Sequence, residues 1–371
     1  MDFMVSKAEL LRELAAVQVA SEHKTSIPIL SNVLLKAEGG ELHIAATDLS
    51  TSLRTSCPAA VKKEGSATLP ARKLLDYVKL LPDGDVFFTL AENHWVNLKA
   101  GRNRTKMVGM ATTNFPSLAA FPAAAIDIPI PILKTFIEKT VFSISDEESR
   151  YTLMGAQLEI STDGVAMIAT DGHRMSYIKF DKPIPGVTDT TKLLIPKRVL
   201  LALKTVLTPY QDGVVSFAHD DNTLFFKVGG KILTGKKLTG TFPNYKAVLP
   251  TGHNISVVVD CSAFRSSLQR VAQFSDEQSR VKLHFEKNAL VLSAQNSEQG
   301  ETEESLDIEY GAEPLTTAFN SNYIRDILRS LPESDRVRIS LKDKNSAAEF
   351  QPVIGMEMAT NRQIVMPLRA A

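Results

Sequence analysis

The hydrophobic positions of the chain follow two spacings, one typical of helices and one typical of strands, in an order that returns along the sequence. Near the start, Leu10, Leu14 and Val17 fall at intervals of three or four, which places them on one face of a helix. Ser6 and Glu9 stand where a capping box would begin that helix. Segments of alternating apolar and polar residues follow and predict strands. The pattern therefore predicts a mixed protein of helices and strands.

The same order of elements occurs three times. The turn-forming residues Asp48, Asp171 and Asn296 each follow a strand-like segment and are 123 and 125 residues apart. Two further sets of anchors keep nearly the same interval: Pro70, Pro196 and Asn320 before the second helix, and the closing pairs Phe115-Pro116, Phe242-Pro243 and Met366-Pro367. We expect an α+β fold of three repeated domains, each with two helices on one face of antiparallel sheets. The expected boundaries are 1–120, 126–250 and 254–371.

The repeated turn predicts a structural role for Asp171. Asp and Asn side chains favour turns because they accept hydrogen bonds from nearby backbone N–H groups. A catalytic Asp would be unique, whereas Asp171 has counterparts in Asp48 and Asn296. Only the second copy continues with Gly172-His173-Arg174, which makes this tripeptide the candidate functional feature of the turn.

The composition excludes several classes of protein. Lysine plus arginine and aspartate plus glutamate number 42 each, so no net charge indicates a nucleic acid or membrane partner. Cys57 and Cys261 match no metal or redox spacing and predict two small buried residues in a reducing compartment. No apolar run reaches membrane-spanning length, and no glycine-rich phosphate loop occurs. We expect a cytoplasmic protein without membrane contact, cofactor, metal or ATPase activity.

The distribution of charge is more informative than its sum. The six predicted helices carry fourteen basic and five acidic residues, a net charge of +9, so the rest of the neutral chain carries −9. Helix-forming preference alone would supply glutamate as often as lysine, although ordinary solvent-exposed helices are the alternative. We interpret the excess as an electropositive helix surface suited to a phosphate backbone rather than to bases.

The size of the repeats decides how such a surface could surround DNA. A domain of about 125 residues has an equivalent-sphere radius of about 18 Å, so three in a ring leave a hole of about 3 Å radius and six leave about 18 Å. Duplex DNA needs a radius of about 10 Å. This requires two chains joined head to tail. Candidate interface residues are Thr105, Met107 and Val108 in the first domain and Phe274 in the third, with burial in the domain cores as the alternative.

Six motifs carry a resemblance to a known family. They are Ile27-Pro28-Ile29-Leu30-Ser31-Asn32, Pro70-Ala71-Arg72-Lys73, Arg150-Tyr151, the segment 169–174, Phe242-Pro243-Asn244-Tyr245 and the ending Val365-Met366-Pro367-Leu368-Arg369. Over its whole length the chain resembles the bacterial sliding clamps, the beta subunits of DNA polymerase III. The resemblance implies a non-catalytic homodimeric ring that encircles duplex DNA without sequence specificity. It also implies three kinds of partner: the DNA polymerase III alpha subunit, other clamp-motif proteins and an ATP-driven clamp loader.

The resemblance further implies a pocket between the second and third domains for a short, mostly apolar partner peptide. Carried over residue by residue, this pocket comprises Leu153, Thr170, Gly172, His173, Arg174, Met175, Pro243, Val248, Ile364, Met366, Pro367, Leu368 and Arg369. Apolar anchors would enter a hydrophobic floor, while His173 and the arginines would bond peptide carbonyls or a carboxylate. The chain departs from the family at Ala247, often basic, and near Asn345, usually apolar. The DNA-facing positions that the resemblance implies are Lys24, Arg72, Lys73, Lys197 and Arg198.

Two other functions compete with this interpretation. Asp171 and His173 could form the acid–base pair of a phosphoesterase, with Arg174 holding phosphate. Against this, residues two apart in a turn need not face each other, and neither a nucleophile nor a metal-ligand cluster accompanies them. The second alternative is a scaffold that binds only proteins, for which the helix charge would be incidental.

Overall fold

The chain folds into three similar α+β repeats. A computed structural model describes residues 1–21, 26–332, 335–353 and 359–368. Within these ranges each repeat contains two α-helices, with nine strands in the first repeat and eight in each of the others. The predicted α+β fold of three repeated domains is therefore confirmed.

Every α-helix begins directly after a strand. The helices are α1 (Lys7–Val17), α2 (Ala71–Leu80), α3 (Ile130–Thr140), α4 (Lys197–Leu207), α5 (Cys261–Val271) and α6 (Ser321–Arg329). Asp260 and Asn320 cap α5 and α6 by accepting hydrogen bonds from backbone N–H groups of the first turn. The capping box predicted for α1 is wrong, because the Ser6 side chain makes no cap hydrogen bond and Glu9 lies 3.6 Å from the guanidinium of Arg12. The N–H of Lys7 instead donates to the carbonyl of Gly84.

The strands are short and pair antiparallel. They are β1 (Asp2–Ser6), β2 (Asn32–Glu38), β3 (Glu41–Thr47), β4 (Thr51–Pro58), β5 (Ala60–Lys63), β6 (Gly65–Pro70), β7 (Asp85–Leu90), β8 (Trp95–Ala100), β9 (Asn103–Val108), β10 (Ile126–Pro129), β11 (Gly155–Ser161), β12 (Gly164–Thr170), β13 (Arg174–Phe180), β14 (Thr191–Pro196), β15 (Val214–His219), β16 (Thr223–Val228), β17 (Lys231–Lys236), β18 (Ile255–Asp260), β19 (Arg280–Glu286), β20 (Ala289–Asn296), β21 (Gly300–Asp307), β22 (Leu315–Asn320), β23 (Arg336–Leu341), β24 (Ala348–Pro352) and β25 (Ala359–Val365).

The first of two compact units consists of Met1–Lys134 and Arg198–Lys237. It holds a five-stranded sheet in the order β5-β1-β7-β8-β9 and an eight-stranded sheet in the order β10-β15-β16-β17-β4-β3-β2-β6. In the larger sheet β17 of the second repeat pairs with β4 of the first. This sheet is therefore continuous across a repeat boundary.

The second unit consists of Thr135–Lys197 and Leu238–Ala371. Its eight-stranded sheet runs β14-β11-β12-β13-β25-β24-β23-β18, and its four-stranded sheet runs β21-β20-β19-β22. Here β13 of the second repeat pairs with β25 of the third. The two larger sheets are thus built in the same way.

Paired helices cover the sheets around apolar cores. In the third repeat α5 and α6 pack together, and Phe264, Phe285, Phe319 and Phe350 are fully buried between helices and sheets. Burial of each such side chain stabilises the fold by about 1.5–3 kcal/mol. The burial predicted for both cysteines is confirmed, and burial raises the pKa of the Cys57 thiol to about 11.

Candidate functional site

The repeated turns are held by their Asp or Asn side chains. The Asp171 carboxylate accepts hydrogen bonds from the N–H groups of His173 and Arg174 at 2.9 and 3.0 Å. Asp48 accepts equivalent bonds in the first repeat, and the Asn296 side chain accepts one N–H in the third. The structural role predicted for Asp171 is confirmed.

Arg174 joins three parts of the second unit: its own turn, the segment of Phe142 and α6. Its guanidinium donates to Asp171 at 2.9 Å, to Asp326 at 2.8 Å and to the carbonyl of Phe142, and it lies 4.5 Å from the ring centre of Tyr323. The side chain is only 11% exposed. Sequence reasoning treated Arg174 as a donor to a bound peptide. In the structure its hydrogen bonds are made within the chain, so it shapes the site rather than projecting into it.

Three of the predicted pocket residues form a buried apolar floor. Leu153, Met175 and Ile364 belong to one hydrophobic cluster in the second unit. Met175 and Ile364 are directly opposite each other on β13 and β25. Five other predicted residues are solvent-exposed: Gly172, His173, Pro243, Val248 and Met366. Val248 and Met366 expose 52% and 42% of their surface.

The segment that carries Pro243 and Val248 is anchored by two aromatic residues. Phe242 and Tyr245 are buried in the same hydrophobic cluster. The ring of Tyr245 stacks on Tyr177 with 5.7 Å between centroids, and its hydroxyl donates to Glu159 at 3.0 Å. Burial, together with the charge of Glu159, raises the pKa of the Tyr245 hydroxyl. The hydroxyl therefore stays protonated and the anchor stays intact at neutral pH.

His173 lies between two residues that hold it at the surface. Its ring stacks against Tyr323 at 6.4 Å between centroids, and its carbonyl accepts a hydrogen bond from the N–H of Met366 at 2.9 Å. Sequence reasoning missed Tyr323, because its helical spacing in α6 does not distinguish a surface platform from a core residue. It named Arg150 as part of a family motif but gave it no place in the site, whereas the Arg150 guanidinium donates to the carbonyl of Asp171 at 2.6 Å.

The turn at residues 170–174 requires a glycine at position 172. Its φ of +90° favours glycine, and a Cβ atom there would lie 2.6 Å from a guanidinium nitrogen of Arg150. Thr170 completes the turn, because its hydroxyl donates to the carbonyl of Arg174 at 2.7 Å and accepts from the N–H of Gly172.

The end of the predicted pocket follows a different course. The N–H of Leu368 donates to the carbonyl of Ala318 on β22, and Leu368 lines a separate cavity of about 340 Å³ together with Asn345. Pro367 is half-buried beside it in sequence. Arg369 lies outside the described residues.

The geometry weighs against the phosphoesterase alternative. Asp171 is committed to two N–H groups and to Arg174, and its partner in that hypothesis, His173, is stacked on Tyr323. Among residues 1–21, 26–332, 335–353 and 359–368, no group of three or more His, Cys, Asp or Glu side chains could hold a metal ion. No described helix is both long and apolar enough to cross a membrane.

The proposed DNA-facing residues lie at the starts of helices. Arg72 and Lys73 are exposed in the first turn of α2, where Arg72 lies 3.7 Å from Asp76. Lys197 donates to both carboxylate oxygens of Asp146 at 2.7 and 2.9 Å, and Arg198 pairs with the carboxylate of Asp48. Lys24 lies outside the described residues.

The candidate interface residues of the first repeat lie on an edge strand, and that of the third repeat lies in the turn after α5. Thr105 and Met107 are on β9, an edge strand, where Thr105 is half-buried and Met107 is buried against its own sheet. Val108 is half exposed. Phe274 is half-buried, follows α5 and packs on the third-repeat core.

Comparison with known proteins gives one result over the whole chain. The N-terminal, central and C-terminal domains of the DNA polymerase III beta subunit match residues 1–119, 127–244 and 246–369. The beta sliding clamps of Vibrio cholerae and Pseudomonas aeruginosa are 32% and 33% identical over the full length of both chains. A crystal structure of the Pseudomonas aeruginosa beta subunit, 32% identical, superposes with a TM-score of 0.92 over both whole chains. Another, of that sliding clamp bound to griselimycin, gives 0.93 at 32% identity over the same coverage. The chain therefore belongs to the DNA polymerase III beta subunit family, the bacterial sliding clamps.

Proposed function

We propose that two copies of this sliding clamp form a head-to-tail ring that encircles duplex DNA. The observation that carries this proposal is a pair of open sheet edges. The sheet of the first repeat ends at β9, and that of the third ends at β21. Each strand leaves one edge of N–H and C=O groups unpaired within its own sheet, and such edges readily pair with another chain.

The charges on the two edges are complementary. Arg104 and Lys106 are exposed on β9, whereas Glu301 and Glu303 are exposed on β21. Opposite charges that face each other across paired strands favour one register and one partner. Joining β9 of one copy to β21 of the next places unlike edges together. Joining two copies of the same edge would bring like charges together.

The interface that we propose includes Thr105, Met107 and Phe274, three of the four candidate residues predicted from sequence. Thr105 and Met107 would contribute through the backbone of β9, because the side chain of Met107 is buried within its own sheet. Phe274 would contribute from the turn next to β21, where it is half-buried. The domain boundaries 1–120, 126–250 and 254–371 belong to the same proposal.

The DNA-facing surface would consist of the helices. All fourteen basic and five acidic residues counted in the sequence lie within α1 to α6, which supports a net charge of +9 on these elements. The proposed contacts include Arg72, Lys73, Lys197 and Arg198. A ring that slides needs contacts without sequence specificity, so its DNA affinity should fall with salt through counterion release.

The peptide site would tether partners to the ring. We propose that the floor of Leu153, Met175 and Ile364 receives apolar anchors of the DNA polymerase III alpha subunit and of other clamp-motif proteins. The ring would act in the cytoplasm without catalytic activity of its own and be opened by an ATP-driven clamp loader. The exposed Val248 and Met366 support a peptide that covers them.

A charge-swap experiment tests the ring. R104E/K106E should convert the dimer to monomer in light scattering and abolish retention on closed circular DNA. E301K/E303K should do the same, and a mixture of the two variants should restore both the dimer and retention on circular DNA, but not on the same DNA after linearisation.

Either of two results would contradict the proposal. One is a dimer that survives both charge reversals, which would place the interface elsewhere. The other is a dimer that binds partners but is not retained on circular DNA, which would favour the protein-only scaffold.

A further inference from the structure

The first unit contains an open groove of about 560 Å³ that the repeat relationship explains. Its floor is the surface of β2, β3 and β4, with Leu34, Ala45 and Arg54, and its wall is the segment after β9, with Phe115 and Leu118. We call it the first-unit groove. Its volume lies in the range of ligand sites in proteins.

Strand pairing identifies the counterpart of this groove in the second unit. Ala45 is paired with Leu34 and Arg54, just as Ile168 is paired with Gln157 and Tyr177. Phe115-Pro116-Ser117-Leu118 corresponds to Phe242-Pro243-Asn244-Tyr245 in the repeat. The two regions therefore have equivalent backbones, but different side chains line and occupy them.

In the second unit an aromatic residue of the chain itself fills the space. Tyr245 is 5% exposed, stacks on Tyr177 and donates its hydroxyl to Glu159. In the first unit the corresponding residue is Leu118, which is only half-buried and has no ring to place there. The first-unit groove is therefore missing the aromatic ring that its counterpart contains.

The charges around the groove define what such a ring should carry. Lys36, His43 and Arg54 are the charged or titratable residues that line it, and no acidic residue lines it within the described chain. Lys36 occupies the position that Glu159 has in the second unit. Glu38 pairs with Lys36 at 2.6 Å but lies outside the lining.

We propose that the first-unit groove binds an aromatic side chain flanked by carboxylates, supplied by an acidic segment of a partner protein. The ring takes the place that Tyr245 has in the second unit. The carboxylates face Lys36 and Arg54, where the second unit presents Glu159 and Tyr177. This site is separate from the proposed apolar peptide site and does not depend on it.

The test uses the full chain and a defined probe, the peptide acetyl-Glu-(4-fluoro-Phe)-Glu-amide, followed by fluorine NMR. We expect saturable binding that weakens at least tenfold in L118Y, because the new ring fills the groove. L118M is the matched control and should bind within twofold of the unchanged chain. R54E should weaken binding at least fivefold, as should replacement of both probe glutamates by lysine. Circular dichroism checks that each variant is folded.

Four results would overturn the proposal. The first three are absence of saturable binding to the unchanged chain, equal binding by L118Y, and equal binding of the lysine-flanked probe. Displacement of the probe by a clamp-binding peptide of the polymerase alpha subunit would also overturn it, because the probe would then occupy the other site.

Discussion

The turns at residues 47–51 and 170–174 have the same hydrogen bonds and different side chains around them. In each, a threonine hydroxyl donates to the carbonyl at the end of the turn, at 3.1 and 2.7 Å. Asp48 and Asp171 each accept two N–H groups. The backbone conformation of the turn is therefore shared by the two repeats and is not specific to the candidate site.

The difference lies beneath the turns. In the second unit Met175 and Ile364 pair across two strands and form an apolar floor. In the first unit Ser52 and Thr234 occupy these positions, and their hydroxyls hydrogen-bond to each other at 2.5 Å. The cavity beside them is only about 220 Å³. Two hydroxyls that satisfy each other offer no apolar contact to an anchor side chain, so the apolar peptide site that we propose belongs to the junction of the second unit.

The largest expected effect concerns Arg174, which has Thr51 as its counterpart. R174A would leave Asp171 and Asp326 without their cation in a site that is mostly buried. Breaking such a pair typically destabilises a protein by about 3–5 kcal/mol. We expect a clear drop in the urea midpoint of the second unit, whereas T51A, which leaves no charge without its partner, should cost only about 1 kcal/mol. If R174A left the urea midpoint unchanged, this result would contradict the role of Arg174 in holding together the parts of the second unit that it contacts.

The second effect concerns binding. M175S/I364T copies the floor of the first unit into the second and should weaken affinity for a clamp-binding peptide by at least about 100-fold, since two apolar side chains at about 1.5–3 kcal/mol each contribute about 3–6 kcal/mol. Fluorescence anisotropy with a labelled peptide measures this loss. The control S52A/T234V changes the first unit and should leave the affinity within twofold. Equal losses in both variants would mean that the floor residues do not define the site.

A third difference is that one of two equivalent helices buries an acidic residue. α1 buries Glu13 where α3 buries Phe136. Burial raises the pKa of the Glu13 carboxyl, but hydrogen bonds from Lys231, Thr55 and Arg12 outweigh it, and the pKa is lowered overall. A lowered pKa stabilises the fold above the ordinary glutamate range, and this stabilisation is lost as pH falls through the lowered value.

The substitution E13Q tests whether Glu13 makes the stability of the fold depend on pH. We expect the difference in urea midpoint between pH 7 and pH 3 to be smaller in E13Q than in the unchanged chain. An unchanged pH dependence would show that Glu13 does not titrate across the acid transition of the first unit.

The smallest expected effect is at the tip of the turn. Leu49 has φ +73°, where the second unit has Gly172 at +90°. L49G removes a left-handed leucine, which costs about 1–2 kcal/mol, and adds the entropic cost of glycine, about 0.5–1 kcal/mol. We expect a net gain of about 0.5 kcal/mol in urea unfolding. G172A should instead lose stability, because alanine is strained at a φ of +90°. A loss in L49G would mean that the exposed leucine makes stabilising contacts.

Much of the fold was predictable because its signals are local. Helical spacing located α1, and the repeated Asp turn, read in the sequence alone, identified three repeats. The pairing of β17 with β4, and of β13 with β25, was not predictable, because it joins distant segments of different repeats. The capping box was wrong because the Ser6 side chain makes no cap hydrogen bond, and the N–H of Lys7 is satisfied by the carbonyl of Gly84, which is far away in sequence.

The candidate site was predictable only in part, for the same reason. His173 and the apolar residues of the ending could be identified by resemblance, but the burial of Arg174 depends on Asp326 and Phe142, which are far away in sequence. Tyr323 was missed because its role depends on stacking with His173. The open first-unit groove has Leu118 where the second repeat has Tyr245, and the importance of this difference depends on knowing what Tyr245 contacts.

The most direct test of this comparison is the stoichiometry of peptide binding. Isothermal titration calorimetry of the full chain with a clamp-binding peptide of the polymerase alpha subunit should give one peptide per chain. The same titration with M175S/I364T should give no measurable binding at the same concentrations. Two peptides per chain, or one that M175S/I364T still binds, would contradict the claim that the second unit alone carries the apolar peptide site.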